Sequence, residues 1–325
     1  MTRLREALER AKAGDLSTTP SLGLMTPARG SEGASHDAWD FDSMNESPVA
    51  SPTRSDNPTE DPVDEAADSL PPLATRMTGS DKLVVLPNAD VTLVEQFRRL
   101  AAALHHAKLK NDARTVMIAS AVEAEGKTLT ATNLALTLSE SYQRRVLLID
   151  ADLRRPCVHK LFRLDNTYGL SDTLKHVVPD GKLPIHRVSR NLWIIPGGTP
   201  DSDPMSGLTS DTMRQLLEEA VEQFDWVVVD TPPVVLLPDA NLLAAMIDTA
   251  LLVVRANSTP YALSARAVEA IGPERILGVV LNRAMGSDLS EGGYYYAQYR
   301  YSYGREEPRK PSRFSRFRFG RKSER

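Results

Sequence analysis

The chain has 325 residues, of which 41% are hydrophobic and 25% charged, and a formal net charge of −4. That make-up suits one ordinary soluble α/β domain with substantial extras and gives no ground for nucleic acid as a partner of the whole molecule. The one cysteine, Cys157, excludes an intramolecular disulfide framework and fits a reducing compartment.

The N-terminus is charged throughout and has no apolar core of signal-peptide length. Leu4, Ala7, Leu8 and Ala11 follow helical spacing, which predicts a short amphipathic helix over 1–13. Residues 14–81 turn to Ser, Thr, Pro, Asp and Glu, too polar to offset the entropy of ordering, and read as a disordered linker. Order resumes over 82–290. A helix beginning at Val91 carries Leu93, Phe97, Leu100 and Leu104 on one face. Strands follow at 116–120, 146–150, 192–195, 226–230, 250–254 and 276–281. Helices fall between them at 127–139, 170–175, 212–223, 240–246 and 262–271. Most of the strands are unbroken apolar runs, as in a sheet buried on both faces. Alternation with helices makes the fold class α/β, a doubly wound, mostly parallel sheet. The longest apolar stretches, near 227–237 and 244–254, are broken by Asp230, Pro232, Pro233 and Asp248, so neither reaches the ~20 apolar residues of a membrane span.

The first strand runs into a loop, Ala121 to Glu125, and then Gly126-Lys127-Thr128 at the start of a helix. Unpaired backbone N–H groups and the helix dipole favour an anion there. Gly126 lets the backbone approach phosphates, Lys127 reaches the β/γ oxygens, and Thr128 offers a hydroxyl to Mg2+. The candidate nucleotide-binding set is Ala121, Glu125, Gly126, Lys127, Thr128 and Leu129. Ala121 replaces the usual first glycine, and the loop carries two glutamates, unfavourable near phosphate unless they point to solvent. The second strand ends in Asp150-Ala151-Asp152-Leu153-Arg154-Arg155, and the fourth in Asp230-Thr231-Pro232-Pro233. Acids at the carboxyl ends of strands lie where open α/β sheets bind ligands; Asp230 suits a magnesium contact.

These motifs resemble the deviant-Walker P-loop ATPases. Finer wording (Leu148 to Pro156, Tyr168-Gly169-Leu170-Ser171-Asp172, Asp230-Thr231-Pro232-Pro233, and Gly278 to Arg283) resembles the bacterial tyrosine kinases of capsule and exopolysaccharide synthesis. The resemblance covers about 91–303. It implies ATP and Mg2+ as cofactors and Lys127, Asp150 and Asp152 as the catalytic set, with Asp152 favoured as base. It implies Thr128, Asp150 and Asp230 around the metal, and Asn282 with Arg283 at the adenine. Tyr294, Tyr295, Tyr296, Tyr299, Tyr301 and Tyr303, six of the nine tyrosines, form a flexible cluster over 291–303 that reads as the phosphoacceptor.

The resemblance further implies an autokinase regulating polysaccharide polymerisation and export, cytoplasmic and held at the inner membrane by a separate membrane adaptor. A homo-oligomer through tail-to-active-site contacts and a cognate tyrosine phosphatase are expected with it. Two departures matter. The helix motif Glu95-x-x-Arg98 continues with Ala101 where the family often has arginine, which weakens ring assembly. Val122 replaces the early lysine of partition-type ATPases, which disfavours their sandwich dimer. The alternatives are a positioning ATPase of the partition or division type and an ATP-binding scaffold without kinase activity. The basic tail, 304–325, holds nine Lys/Arg against three Glu with interleaved phenylalanines, and suits an anionic membrane surface or nucleic acid, or else simple solubilisation.

Overall fold

The computed structural model describes residues 83–86, 89–178, 183–235 and 239–284, together with Leu4, Leu73 and Met77. The tyrosine cluster and basic tail lie outside the described residues, as do the N-terminal helix and linker apart from those three positions. Within the span read as linker, Met77 is buried against the core with Leu83, and its N–H donates to the carbonyl of Leu73.

Helix α1 (Val91–Asn111) starts on Asp90, whose carboxylate accepts the Thr92 N–H at 2.7 Å. Strand β1 (Thr115–Ser120) feeds the loop and helix α2 (Lys127–Leu136), whose end widens into a π-turn over Thr137–Ser141. Then come β2 (Val146–Asp150), the short helices α3 (Val158–Phe162) and α4 (Leu170–Leu174), and strands β3 (His186–Arg187) and β4 (Leu192–Ile195). Helices α5 (Met205–Leu208) and α6 (Asp211–Gln223) lead to β5 (Trp226–Asp230) and α7 (Asp239–Ala244). The described chain closes with β6 (Thr249–Arg255), α8 (Tyr261–Ile271) and β7 (Ile276–Asn282).

The sheet order is β3-β4-β2-β5-β1-β6-β7, parallel except for β3, which runs antiparallel to β4. The doubly wound, mostly parallel sheet expected from the sequence is therefore present, with an antiparallel edge. Strands β1, β2, β4 and β5 are buried along their whole length, because alternate residues face two apolar layers. Met117, Leu147, Trp193 and Val229 face the layer of α4 to α8, while Ile118, Leu148, Ile194 and Val228 face α1, α2 and α3. This double burial removes the polar/apolar alternation of a half-exposed strand.

Three elements were not expected from the sequence. β3 is two residues long, and α3 and α5 are of one turn, too short to display a hydrophobic period. The chain leaves β1 for β2 on one side and crosses back from β5 to β6 on the other. The carboxyl ends of β1, β2 and β5 thus converge where the winding reverses, the place open α/β sheets keep their ligands.

Candidate active site

Lys127 opens α2, and Gly126 caps it in the left-handed conformation at φ 95°. A side chain there would meet Asn282 Nδ2 at 2.0 Å, so glycine is needed for both backbone and space. Ala124 also has positive φ, 62°, an uncommon state for a residue with a Cβ. The chain accepts it because the loop is pinned from behind by Glu125. That side chain is 1% exposed; its Oε2 accepts the Val122 N–H at 2.9 Å, and its Oε1 accepts the Arg255 N–H at 3.3 Å and the Thr259 hydroxyl. The two loop glutamates therefore behave differently from a shared solvent-facing pair. Glu123 is exposed and pairs with Arg155, whereas Glu125 is turned into the protein.

Register explains the acids. Asp150 of β2 and Asp230 of β5 are direct cross-strand partners at the carboxyl ends of their strands. Both are wholly buried. Asp150 Oδ2 is fixed by the N–H groups of Cys157 and Val158, at 2.8 and 2.9 Å. Its Oδ1 has no hydrogen-bond partner, and the polar neighbours of Asp230, Lys127 and Thr128, stand just beyond close hydrogen-bond distance. Lys127 Nζ stands 3.6 Å from Asp230 Oδ1 and 3.5 Å from Asp152 Oδ2. Asp152 is the more accessible acid: its side chain keeps 12% exposure against 0% for Asp230.

Burial, and then the neighbouring Asp230 carboxylate, pushes the Asp150 carboxyl up to about 8, against the pull of its two backbone donors. Burial likewise raises Asp230, opposed by Lys127. For Lys127, burial pulls downward, but Asp230 and then Asp152 outweigh it and hold the ammonium above its ordinary value. Two buried carboxyls with unfilled oxygens and one lysine are short of positive charge. A divalent cation would supply it, so the donor set fits magnesium. Among the described residues no three acid, Cys or His side chains form a ready-made metal cage. Mg2+ takes one or two carboxylates and completes its shell with waters and substrate phosphates, a role Asp150 and Asp230 can fill.

The remaining sequence candidates are placed unevenly. Thr128 is beside the acids, with Cys157 Sγ 3.4 Å from its Oγ1. Ala121 is fully buried at the loop's start. Leu129 packs its side chain into the layer of α1 and α2. Asn282 donates from Nδ2 to the Glu125 carbonyl at 2.7 Å and accepts the Arg283 N–H at 2.9 Å, so it braces the loop in this state. Arg283 is exposed at the end of β7. Sequence reasoning missed Thr259 and the position of Cys157. Burial first, offset in part by Thr128, pushes the Cys157 thiol up to about 11, which keeps it protonated and a poor nucleophile.

A phosphate loop, two register-paired acids and an open α/β switch point define a P-loop NTPase. Residues 112–286 match the ParA family, described as NUBPL iron-transfer P-loop NTPase. The chain is 35% identical over 203 residues to the tyrosine-protein kinase YwqD of Bacillus subtilis, covering 62% of this chain and 85% of that protein. It is also 35% identical over 202 residues to the tyrosine-protein kinase etk of Escherichia coli K12, covering 61% of this chain but only 28% of that longer protein. The solved kinase domain of Escherichia coli ETK superposes with a TM-score of 0.57 at 31% identity, over 64% of this chain and 85% of that one. Within the ParA-type P-loop NTPases, the chain belongs to the BY-kinase family of bacterial tyrosine kinases. It is thus a nucleotide-binding protein-tyrosine kinase by family, and the partition- or division-type positioning ATPase is set aside.

Proposed function

We propose that this kinase phosphorylates its own C-terminal tyrosines from ATP and Mg2+, and that this transfer regulates polymerisation and export of an exopolysaccharide or capsule. The observation that carries the site assignment is the placement of Lys127 between Asp152 and Asp230, beside the buried Asp150 whose Oδ1 has no hydrogen-bond partner. Lys127 and the N–H groups at the start of α2 neutralise and orient the β- and γ-phosphates. Thr128, Asp150 and Asp230 would hold a magnesium ion, which supplies charge neutralisation at the phosphates. Asp152, the accessible acid, takes the proton from the attacking tyrosine hydroxyl. The Oη–Pγ bond forms as the bond from Pγ to the β,γ-bridging oxygen breaks, and ADP leaves with the electron pair. Little covalent work falls to the protein in such a transfer, and positioning with charge stabilisation carries it.

The acceptors are Tyr294, Tyr295, Tyr296, Tyr299, Tyr301 and Tyr303, presented in trans to a second copy. Asn282 and Arg283 lie at the end of β7, beside the loop, and serve the adenine once nucleotide is bound. The domain division follows: a segment over 1–13, a linker, a kinase domain ending near 290, the tyrosine cluster and a basic tail. Among the described residues no helix is long and apolar enough to cross a membrane. In this reading a separate membrane adaptor recruits and activates the kinase at the inner membrane, and a tyrosine phosphatase resets it.

Peptide mapping of phosphotyrosine after incubation of the full chain with ATP and Mg2+, with and without an adaptor fragment, tests the acceptor assignment. Label confined to 294–303 supports it; label on Tyr142, Tyr168 or Tyr261 alone overturns it.

A further inference from the structure

Leu4 is wholly buried, and it belongs to the apolar layer that contains Met213, Leu216, Leu217 and Ala220 of α6. Its backbone N–H donates to Oε2 of Glu219 at 2.9 Å, across 215 positions of sequence. Glu219 is itself only 8% exposed, unusual for a glutamate on a surface helix. Leu4 is helical, and its N–H finds its partner on a side chain far away in sequence. The buried Glu219 carboxylate thus accepts a backbone donor that reaches it from the other end of the chain. One residue supplies both an apolar anchor and a directional bond.

We propose that the surface of α6 around Glu219 is a docking groove for the chain's own N-terminal segment, residues 1–13, with Leu4 as its anchor. The spacing of Leu4, Ala7, Leu8 and Ala11 gives that segment the single apolar stripe such a groove takes. Docking in cis is favoured over a second copy because the tether holds the segment at an effective concentration in the millimolar range. Residues 5–72 do not limit its reach, since an extended chain spans about 3.3–3.6 Å per residue.

A second anchor makes the consequence larger. Met77 and Leu83 pack into the layer on the opposite face of the sheet. The Ser/Thr- and Pro-rich residues between Leu4 and Leu73 are therefore tethered at both ends to opposite faces of the kinase domain. The groove lies beside the helix that leads into the amino end of β5, whereas Asp230 ends that strand. The contact is thus separate from the chemistry.

Hydrogen exchange on the full-length protein tests this directly. Amides within 1–13 exchange at least about tenfold more slowly than a free peptide of the same sequence. Leu4→Asp removes that protection and speeds exchange of α6 around Glu219, while peptides of the phosphate loop stay unchanged and serve as the folding control. Glu219→Gln retains an acceptor oxygen and keeps the protection; Glu219→Ala loses it. Free-peptide exchange rates over 1–13 in the wild type overturn the proposal, as does a Leu4→Asp variant whose α6 is unaffected. Light scattering separates the occupants: a wild-type oligomer that falls to monomer with Leu4→Asp overturns docking in cis.

Discussion

Glu125 stands one residue before Gly126 and faces away from the place where phosphate charge would gather. Its carboxylate collects the Val122 and Arg255 N–H groups and the Thr259 hydroxyl, so it ties the loop to the end of β6 and the start of α8. Removing it in Glu125→Ala strands buried donors, and we expect a loss of about 2–3 kcal/mol in denaturant unfolding together with weaker nucleotide binding. Glu125→Gln, which keeps an acceptor, loses less. The paired acids give a second prediction. Asp150 has its ordinary 3.8 moved up to about 8 by burial and by Asp230. The folded state then holds a proton that the unfolded chain has released, so nucleotide-free stability falls as pH rises from about 4 to about 8. Asp150→Asn flattens that slope in thermal melts and stabilises the nucleotide-free protein near neutral pH by about 1–3 kcal/mol. A wild type whose melting temperature rises through the same window contradicts the assignment. At this scale the sequence shows which residues bear chemistry, because Gly126-Lys127-Thr128 and the strand-ending aspartates are local patterns. It does not show where Glu125 points, since two of its three partners lie more than a hundred positions away. For the same reason the bond from Asn282 to the Glu125 carbonyl is invisible before the chain folds.

Helix α1 carries the next scale. Glu95 is paired with Arg98 on the same helix, three residues on, and Ala101 is buried with Phe97 and Leu104 against the sheet. The place where the family resemblance leads one to expect a further arginine therefore faces the core in this chain. Restoring the motif by Ala101→Arg buries a charge without a partner, and we expect a loss of roughly 3 kcal/mol or more with no gain in oligomer size. Chemical denaturation and light scattering check the two halves of that statement. The central strands were legible to within about a residue because complete burial leaves continuous apolar runs between helices with clear periods. α3 was not, although it matters most: its first N–H and that of Cys157 hold Asp150 Oδ2. A five-residue helix shows one i,i+4 pair, Val158 and Phe162, and that pair alone has no period to read.

At the scale of the molecule the proposed transfer links the nucleotide site to a sequence of six tyrosines. Each phosphate adds about −1.5 to −2 charges, so on the proposed acceptor assignment full modification would set a dense anionic segment against Asp150, Asp152 and Asp230 whenever the tail enters a site. Phosphorylation is expected to expel the tail and loosen any oligomer built through it; light scattering before and after exhaustive reaction checks this, and an unchanged mass contradicts it. The order of the sheet was not legible, because strand order depends on how crossovers pack and leaves no mark in any one segment. The most direct test of the central claim compares the full-length wild type with Lys127→Met, each given labelled ATP and Mg2+ together with an adaptor fragment. The account predicts label on tyrosine in the wild type and none in the variant. Steady ATP hydrolysis without phosphotyrosine, or label that persists in Lys127→Met, contradicts it.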